Sequence, residues 1–484
     1  MSNLSELLPA GGAAKEFEPT ASGSLSSGQA VILNSNGTVS AVTGSSASMG
    51  TADNTAGVRN SGYAGACYHI TNNSTVVAFV DGLNNGYTTT AVCTLSGTTV
   101  TMNTPVVVDS NAASFVRCAY DVTQNKVVFY YRKSSVGYVK AATVTGNSFS
   151  FGSQVTAFSG ATLGNRPGDM CNLDDSKVVI GWGSGASDGT AGAQVVSISG
   201  TTLTVGTRAS VATIDSYGMM MASGKKGEFL CLLGGTARLG YAAATVSGTT
   251  ITKGALTTVS GAAYNNHLAS GFWNGYPSVE STYIAAYHVT GGAAGVTNAR
   301  VITVSGNTLT LHAELSLNAD AASNFPGMGW GSSINEAVFY YRPQSDSSSG
   351  RAVPLSYSGT TVTEGAITSV GAGNYHQWGV TCDHVAKRSI AIYQSSSNSD
   401  LAEVNVYIPE TTTNTDFVGF TADAIASGAS GVVNPEGGVA TNFSSLTIGS
   451  EYYVQGNGTI STASASPAVN IGKALSTTSI LLKG

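Results

Sequence analysis

The stretch Leu95-Ser96-Gly97-Thr98-Thr99-Val100 decides the fold, because versions of it recur along the chain. Each copy has an apolar residue, a Ser or Thr, a glycine, two small polar residues and then alternating β-formers. Glycine adopts the positive φ of a tight turn, and the flanking residues favour extended backbone. The turn glycines are Gly97, Gly146, Gly200, Gly248, Gly306 and Gly359, at spacings of 49, 54, 48, 58 and 53 residues. This period is near that of four-stranded propeller blades, ~40–50 residues.

A short, nearly continuous apolar run precedes each turn by about 20 residues. A strand that is buried on both faces has this composition. We therefore predict that each run is an inner strand packed between neighbouring blades, and that each glycine-centred hairpin is the outer, half-exposed pair of its blade. The seven runs are Val76–Phe79, Val127–Tyr131, Val178–Ile180, Phe229–Leu233, Tyr283–Tyr287, Ala337–Tyr341 and Ile390–Tyr393.

Seven runs and six hairpins predict an all-β chain with a seven-bladed β-propeller over residues 61–413; six or eight blades are the alternatives. The seventh hairpin is expected near residue 411, where Ile408-Pro409-Glu410 stands instead. A propeller ring can close by completing one blade with a strand from the other end of the chain. We expect that strand to come from residues before Tyr63.

The two ends of the chain share a second pattern. Gly28 leads to Asn36-Gly37, and Gly449 leads to Asn457-Gly458, with the same eight-residue offset from glycine to asparagine. Asn-Gly between alternating runs is the strongest short-range hairpin signal. We therefore predict that residues 16–60 and 414–484 form one small β attachment domain, with the propeller inserted between its two parts.

Residues 1–15 are predicted to be a docking arm, with a frayed terminus as the alternative. Asn3 and Glu6 are spaced as an N-cap pair for a one-turn helix bearing Leu4, Leu7 and Leu8. The same segment lacks the cationic start and apolar core of a signal peptide, so we expect no export by that route.

The composition excludes several function classes. A net charge of −6 provides no basic footprint for nucleic acid, and no stretch reaches the ~20 apolar residues of a membrane span. Charged residues make up 10% of the chain against a usual ~25%. The six cysteines form no CxxC pair, so buried thiols are expected rather than disulfides or a metal site.

The C-terminal stretch Phe417–Gly484 resembles a module of tail-fibre and other virion structural proteins of tailed bacteriophages. A short stretch near the start, Leu25–Val31, resembles the N-terminal half of the same family, and the attachment domain in which both matches lie, residues 16–60 and 414–484, is roughly a quarter of the chain. The C-terminal residues that carry the resemblance are Phe417–Thr421, Gly449–Val454, Ile471–Ser476 and Ile480–Leu482. The resemblance implies a location in the virion and transfers no catalytic residue.

The search for chemistry predicts no catalytic residue, no cofactor and no metal site. The six histidines lack metal-ligand spacing. Asp174-Asp175 and Asp383-His384 occupy corresponding loops of different blades, where turn chemistry explains them and a calcium or catalytic role is the alternative. General acid–base catalysis requires such groups to converge in one cleft.

Aromatic residues are the best candidates for recognition. Phe129-Tyr130-Tyr131-Arg132 recurs as Phe339-Tyr340-Tyr341-Arg342 in another blade. Carbohydrate-binding faces use exposed rings for stacking and Arg for hydrogen bonds, which makes Tyr131, Arg132, Tyr341 and Arg342 candidate glycan-binding residues. Packing between blades is the preferred interpretation of these rings.

Together these observations predict a non-enzymatic structural protein of a bacteriophage virion that displays a propeller on the particle surface, as a tail fibre or appendage. A capsid decoration or knob protein is the first alternative. A propeller glycosidase or depolymerase acting on host polysaccharide is the second, and a secreted lectin or adhesin is the third. The expected partners are other tail or capsid proteins, further copies of this chain and a host surface glycan, with synthesis in the host cytoplasm and neither nucleic-acid binding nor membrane insertion.

Overall fold

The computed structural model of the chain is built almost wholly of β-strands. It describes residues 16–159, 168–173, 175–183, 190–213, 218–223, 227–234, 239–259, 270–273, 281–289, 296–320, 322–330, 336–343, 349–372, 375–395, 399–462 and 468–483. The predicted docking arm, residues 1–15, lies outside this part. Two single-turn 3-10 helices occur among the described residues, Ile70–Asn72 and Asn414–Asp416. In the described part no helix has the length and apolar character needed to cross a membrane.

The chain divides into two compact units, one of Met1–Ala47 with Pro409–Gly484 and one of Ser48–Ile408. These boundaries lie earlier than the expected ones at residues 60/61 and 413/414. The physical reason for the first is that Ser48–Met49 pairs with Leu401–Ile408, the third strand of the last blade.

The described part of Ser48–Ile408 contains seven antiparallel sheets of four or five strands, which we number blades 1 to 7 in chain order. The first strands are Gly65–His69, Phe115–Asp121, Gly168–Asn172, Gly218–Ser223, Ser270–Trp273, Ala322–Trp330 and Tyr375–Asp383. The second strands are Ser74–Asp81, Lys126–Lys133, Lys177–Trp182, Glu228–Gly234, Thr282–Val289, Glu336–Pro343 and Arg388–Ser395.

The outer strands continue each blade in the same order. The third strands are Tyr87–Ser96, Val136–Thr145, Thr190–Ser199, Leu239–Ser247, Val296–Ser305, Ser349–Ser358 and Leu401–Ile408. The fourth strands are Thr99–Met102, Ser148–Phe151, Thr202–Val205, Thr250–Lys253, Thr308–Asp320, Thr361–Glu364 and, in blade 7, Ser48–Met49. Five blades add a short strand against the third: Val106–Ala112, Val155–Phe158, Ala209–Thr213, Thr257–Val259 and Thr368–Ala372.

The seven blades form a closed ring. The first strand of each blade contacts that of the next, and the first strand of blade 7 contacts that of blade 1. The predicted β-propeller is therefore confirmed. The last blade is completed from the N-terminal side, where Met49 pairs with Tyr407 and Ser48 with Ile408. This confirms the expectation that a strand before Tyr63 completes the ring.

The two repeated sequence markers have the predicted places. Every apolar run is the second strand of a blade, and its side chains are buried between neighbouring blades. The turn glycines connect the third and fourth strands with φ between 55° and 60°. A glycine with positive φ at the first of two turn positions fits the type II′ turn, whose twist matches the flanking strands.

Both ends of the chain contribute strands to the other unit. The first sheet has the strand order Val39–Ala41, Ala30–Leu33, Phe417–Thr421, Val433–Pro435. The second sheet pairs Gly44–Ser45 with Thr411–Thr412. The third sheet has the strand order Val439–Ala440, Ile480–Leu482, Ala468–Ala474, Glu451–Gln455, Ile460–Ser461. The two Asn-Gly hairpins are confirmed, since Gly37 and Gly458 have φ of 84° and 83° at equivalent turns.

Candidate functional site

A cavity of about 280 Å³ lies inside the ring of blades. Its described walls come from the first strands of blades 1, 2, 3, 4, 6 and 7, so six blades contribute side chains to one space. Ligand sites are usually concave pockets in which side chains from several elements converge, and the centre of this ring has that property. The charged residues of its wall are Arg117 and Asp169.

Arg117 and Asp169 form an ion pair in this wall. Arg117 Nε lies 3.3 Å from Asp169 Oδ1, and both side chains are about nine-tenths buried. Arg117 Nη1 also donates to the Ala64 carbonyl at 2.6 Å, and Asp169 Oδ2 accepts from the Met221 N–H at 2.8 Å. Burial raises the pKa of Asp169 above its ordinary value, although Arg117 acts in the opposite direction. The pair thus connects the inner strands of blades 2, 3 and 4 with the residue that precedes the inner strand of blade 1.

The wall also contains Tyr68, in the first strand of blade 1, and His384, directly after the first strand of blade 7. Their rings meet edge to face with centroids 4.9 Å apart, and His384 Nε2 lies 3.2 Å from the thiol of Cys382. Burial lowers the pKa of His384 to about 4, with Asp383 acting in the opposite direction. Burial also raises the pKa of the Cys382 thiol. At neutral pH this is an uncharged imidazole beside a protonated thiol, which is not an activated nucleophile.

The predicted glycan-binding tyrosines are buried in the cores between blades. Tyr131 is 0% exposed and packs toward blade 1, and Tyr341 is 1% exposed and packs toward blade 5. Tyr131 donates its hydroxyl to Gln154 Oε1 at 2.9 Å. A sugar that stacks on either ring needs an exposed face, which this conformation does not provide. Packing between blades, the preferred interpretation of these rings, accounts for their position.

The two arginines of the same motif are buried to different degrees. Arg132 is 1% exposed, its Nε donates to Ser114 Oγ at 3.1 Å, and its guanidinium lies over the Phe115 ring. Arg342 is half-buried, and burial lowers its pKa. Blades 2 and 6 are not neighbours in the ring, so the two Tyr-Arg pairs lie in separate places and do not form one site.

The acidic candidates have turn roles where the structure describes them. Asp383 Oδ1 accepts from the backbone N–H groups of Val385 and Ala386, at 3.0 and 2.7 Å, and so stabilises the loop between the first and second strands of blade 7. Asp121 holds the equivalent loop of blade 2 by accepting from Gln124 N. Asp175 forms a 2.9 Å ion pair with Lys177. Asp174 lies outside the described residues.

All six cysteines are free and buried, which confirms the expected thiols. Within the described ranges, no group of three or more His, Cys, Asp or Glu side chains is arranged to hold a metal ion.

Sequence reasoning missed the Arg117–Asp169 pair. Asp169 is the one charged residue of its strand, Arg117 shares its strand with Asp121, and the pair is separated by 52 positions in the sequence. Consecutive blades aligned on their apolar runs are offset by 51 positions here, so the alignment places Asp169 one position away from Arg117 on neighbouring first strands. The alignment therefore brings the two charges near each other, but the strand pairing is needed to place them at the same level.

No protein-family model and no curated protein sequence matches this chain. Among solved structures, similarity is found to the NanB sialidase of Streptococcus pneumoniae, at 9% identity over 75% of this chain and 70% of that chain, with a TM-score of 0.43. The Dos1 propeller is 10% identical over 78% of this chain and 81% of that one, with a TM-score of 0.41. The SapL1 lectin in complex with alpha methyl fucoside is 10% identical over 65% and 99%, with a TM-score of 0.37. Identities this low transfer no activity to the present chain.

Proposed function

We propose that this chain is a non-enzymatic structural protein of a tailed-bacteriophage particle, in which the unit formed by both chain ends attaches to the particle and the propeller is displayed. A tail fibre or appendage is the preferred location, and a capsid decoration is the alternative. The sequence resemblance of the terminal segments to virion proteins motivates the proposal.

One structural observation carries it. The two segments that resemble virion proteins are separated by almost 400 residues, yet they pair within one unit. Thr421 accepts a hydrogen bond from Gly28 N through its carbonyl and from Gln29 N through its hydroxyl, both at 2.9 Å. In the antiparallel strand pair that follows, Val31 lies opposite Gly419. The resembling residues therefore belong to one folded module into which the propeller is inserted.

The central cavity supports binding or display over catalysis. Glycoside hydrolysis in most families requires two carboxyl groups that flank one bond. Among the described residues that line the cavity, Asp169 is the one carboxylate, and Arg117 and the Met221 N–H already occupy it. The carboxylate of Asp383 already accepts two backbone hydrogen bonds within its own turn. A rigid ring with few charged groups suits a durable scaffold.

The decisive experiment is localisation in assembled particles of the phage that encodes the chain. Mass spectrometry of gradient-purified particles should detect the protein in several copies per particle, and cryo-EM should show the propeller as surface density. Density on the tail supports the preferred location, and density on the head supports the capsid alternative. Absence from purified particles contradicts the proposal.

A second experiment separates display from the glycosidase alternative. Purified protein incubated with host surface polysaccharide should release no reducing ends. Release that disappears in Asp174→Asn or Asp383→Asn replaces the proposal with an enzyme that acts on polysaccharide.

A further inference from the structure

The outer hairpins of the propeller carry a repeated patch of hydroxyl side chains. In blade 1 the patch is Thr94, Ser96, Thr99 and Thr101, which lie three and one positions before Gly97 and two and four positions after it. The same four offsets from the turn glycines of blades 2 to 6 hold Ser or Thr without exception. The fourth strand of blade 7 comes from the N-terminal side and lacks this pattern.

The four hydroxyls of a patch face the same way. In blade 1 Ser96 pairs directly with Thr99, and Thr94 with Thr101, and the same cross-strand pairing is present in the other five blades. Paired residues have Cβ atoms about 4.5–5.5 Å apart, and alternate residues on one strand are about 6.6 Å apart. Val100, between Thr99 and Thr101, points to the opposite side and is fully buried.

The patches are turned to solvent. Both fourth-strand hydroxyl residues are exposed in all six blades, and so is the third-strand residue next to the turn. None of the four positions is charged in any blade, although charged side chains are the usual protection of an exposed edge strand. Threonine fits a strand, and cross-strand Thr pairs stabilise a hairpin, but neither reason excludes Lys, Glu or Val from so many exposed positions.

We propose that these six hydroxyl patches bind a neutral polysaccharide. Each hydroxyl is one donor and an acceptor of two hydrogen bonds, which matches the hydroxyl groups of an uncharged sugar, and the patches contain no positive charge to pair with an anionic one. A single patch binds weakly, because each hydrogen bond replaces one with water. Six patches on one rigid ring engage a repeating polymer together, which raises the affinity by ~10²–10⁴ without new contacts. The inference rests on the proposed display role and names the class of glycan that the displayed propeller would bind.

The test uses the full chain and two matched variants. In the first, Thr99, Thr101, Thr202 and Thr204 are replaced by Val, which keeps the β-branched shape in blades 1 and 3 and removes the hydroxyls. In the second, the same residues are replaced by Ser, which keeps the hydroxyls. Affinity electrophoresis in gels that contain dextran, mannan or amylose measures binding, heparin serves as the anionic probe, and thermal melting checks that each variant is folded.

The wild-type protein and the Ser variant should be retarded by at least one neutral polymer and not by heparin. The Val variant should bind that polymer about tenfold more weakly, since two of the six linked patches lose half of their hydroxyls. Binding to heparin alone, binding to none of the neutral polymers, or equal retardation of the Val variant overturns the inference. If the protein is found in particles but binds no neutral polymer, the proposed display role stands and the glycan inference fails. If it binds a neutral polymer but is absent from particles, the proposed display role fails.

Discussion

Arg117 and Asp169 occupy the same level in the first strands of blades 2 and 3, and their ion pair is made in the wall of the central cavity. Removal of two charges from water is costly, and only good geometry with further hydrogen bonds offsets it. Both residues have such bonds, to the carbonyl of Ala64 and the N–H of Met221. The ion pair and its two backbone hydrogen bonds thus hold together inner strands that otherwise contact each other through small and apolar side chains.

Asp169→Leu should destabilise the propeller by about 3–5 kcal/mol, because it leaves a buried guanidinium without its carboxylate. The double variant Arg117→Met/Asp169→Leu should be distinctly more stable than the single one, since the orphaned charge is gone. Urea denaturation followed by tryptophan fluorescence measures both. A double variant that is no more stable than Asp169→Leu would show that the two residues are not energetically coupled.

The architecture was largely predictable because its determinants are local. Each turn glycine and each apolar run is a short pattern, and their regular alternation fixes which strand is inner and which is outer. The closing strand was predicted only as a region, since nothing in Ser48-Met49 itself indicates a propeller strand.

Site residues were harder to predict, because they depend on which way a strand faces. In Val127–Tyr131 alternate side chains face different neighbouring blades: Phe129 and Tyr131 pack toward blade 1, and Tyr130 packs toward blade 3. The run itself does not show whether the last ring emerges at the surface. The position of Tyr131 is settled by residues of another blade, such as Val80 and Val92.

Gly379→Ala should weaken the junction at which the ring closes. A Cβ at Gly379, in the first strand of blade 7, would lie 2.9–3.0 Å from backbone atoms of Ala64 and Gly65 at blade 1. Backbone cannot move aside as a side chain can, so we expect a loss of about 1–3 kcal/mol in the free energy of unfolding. Gly23→Ala, where a Cβ meets nothing within 4 Å, is the control. Equal melting temperatures for Gly379→Ala and the wild type would contradict this close approach.

Asp383→Ala should lower the free energy of unfolding by about 1–3 kcal/mol, because two backbone N–H groups of the turn lose their hydrogen bonds to a buried carboxylate. Asp383→Asn keeps an oxygen acceptor and should restore most of the loss. Chemical denaturation of the three proteins provides the comparison. If Asn destabilises as much as Ala, the negative charge of Asp383, rather than its acceptor geometry, is what the site requires.

His384 makes the stability of the propeller depend on pH in a defined window. Burial holds its pKa at about 4 in the folded protein, against an ordinary value of 6.5. Between these values the unfolded chain binds a proton at this site that the folded chain does not, so stability falls as pH is lowered from about 6.5 to 4. The loss is at most about 3 kcal/mol, since one pKa unit corresponds to ~1.4 kcal/mol.

His384→Gln should remove this pH-dependent part of the stability, so that the melting temperature of the variant declines less than that of the wild type between pH 7 and 4.5. Val385→Ala, an exposed change in the same turn, should retain the wild-type dependence. Parallel curves for the wild type and His384→Gln would show that the imidazole is free to take up a proton in the folded state.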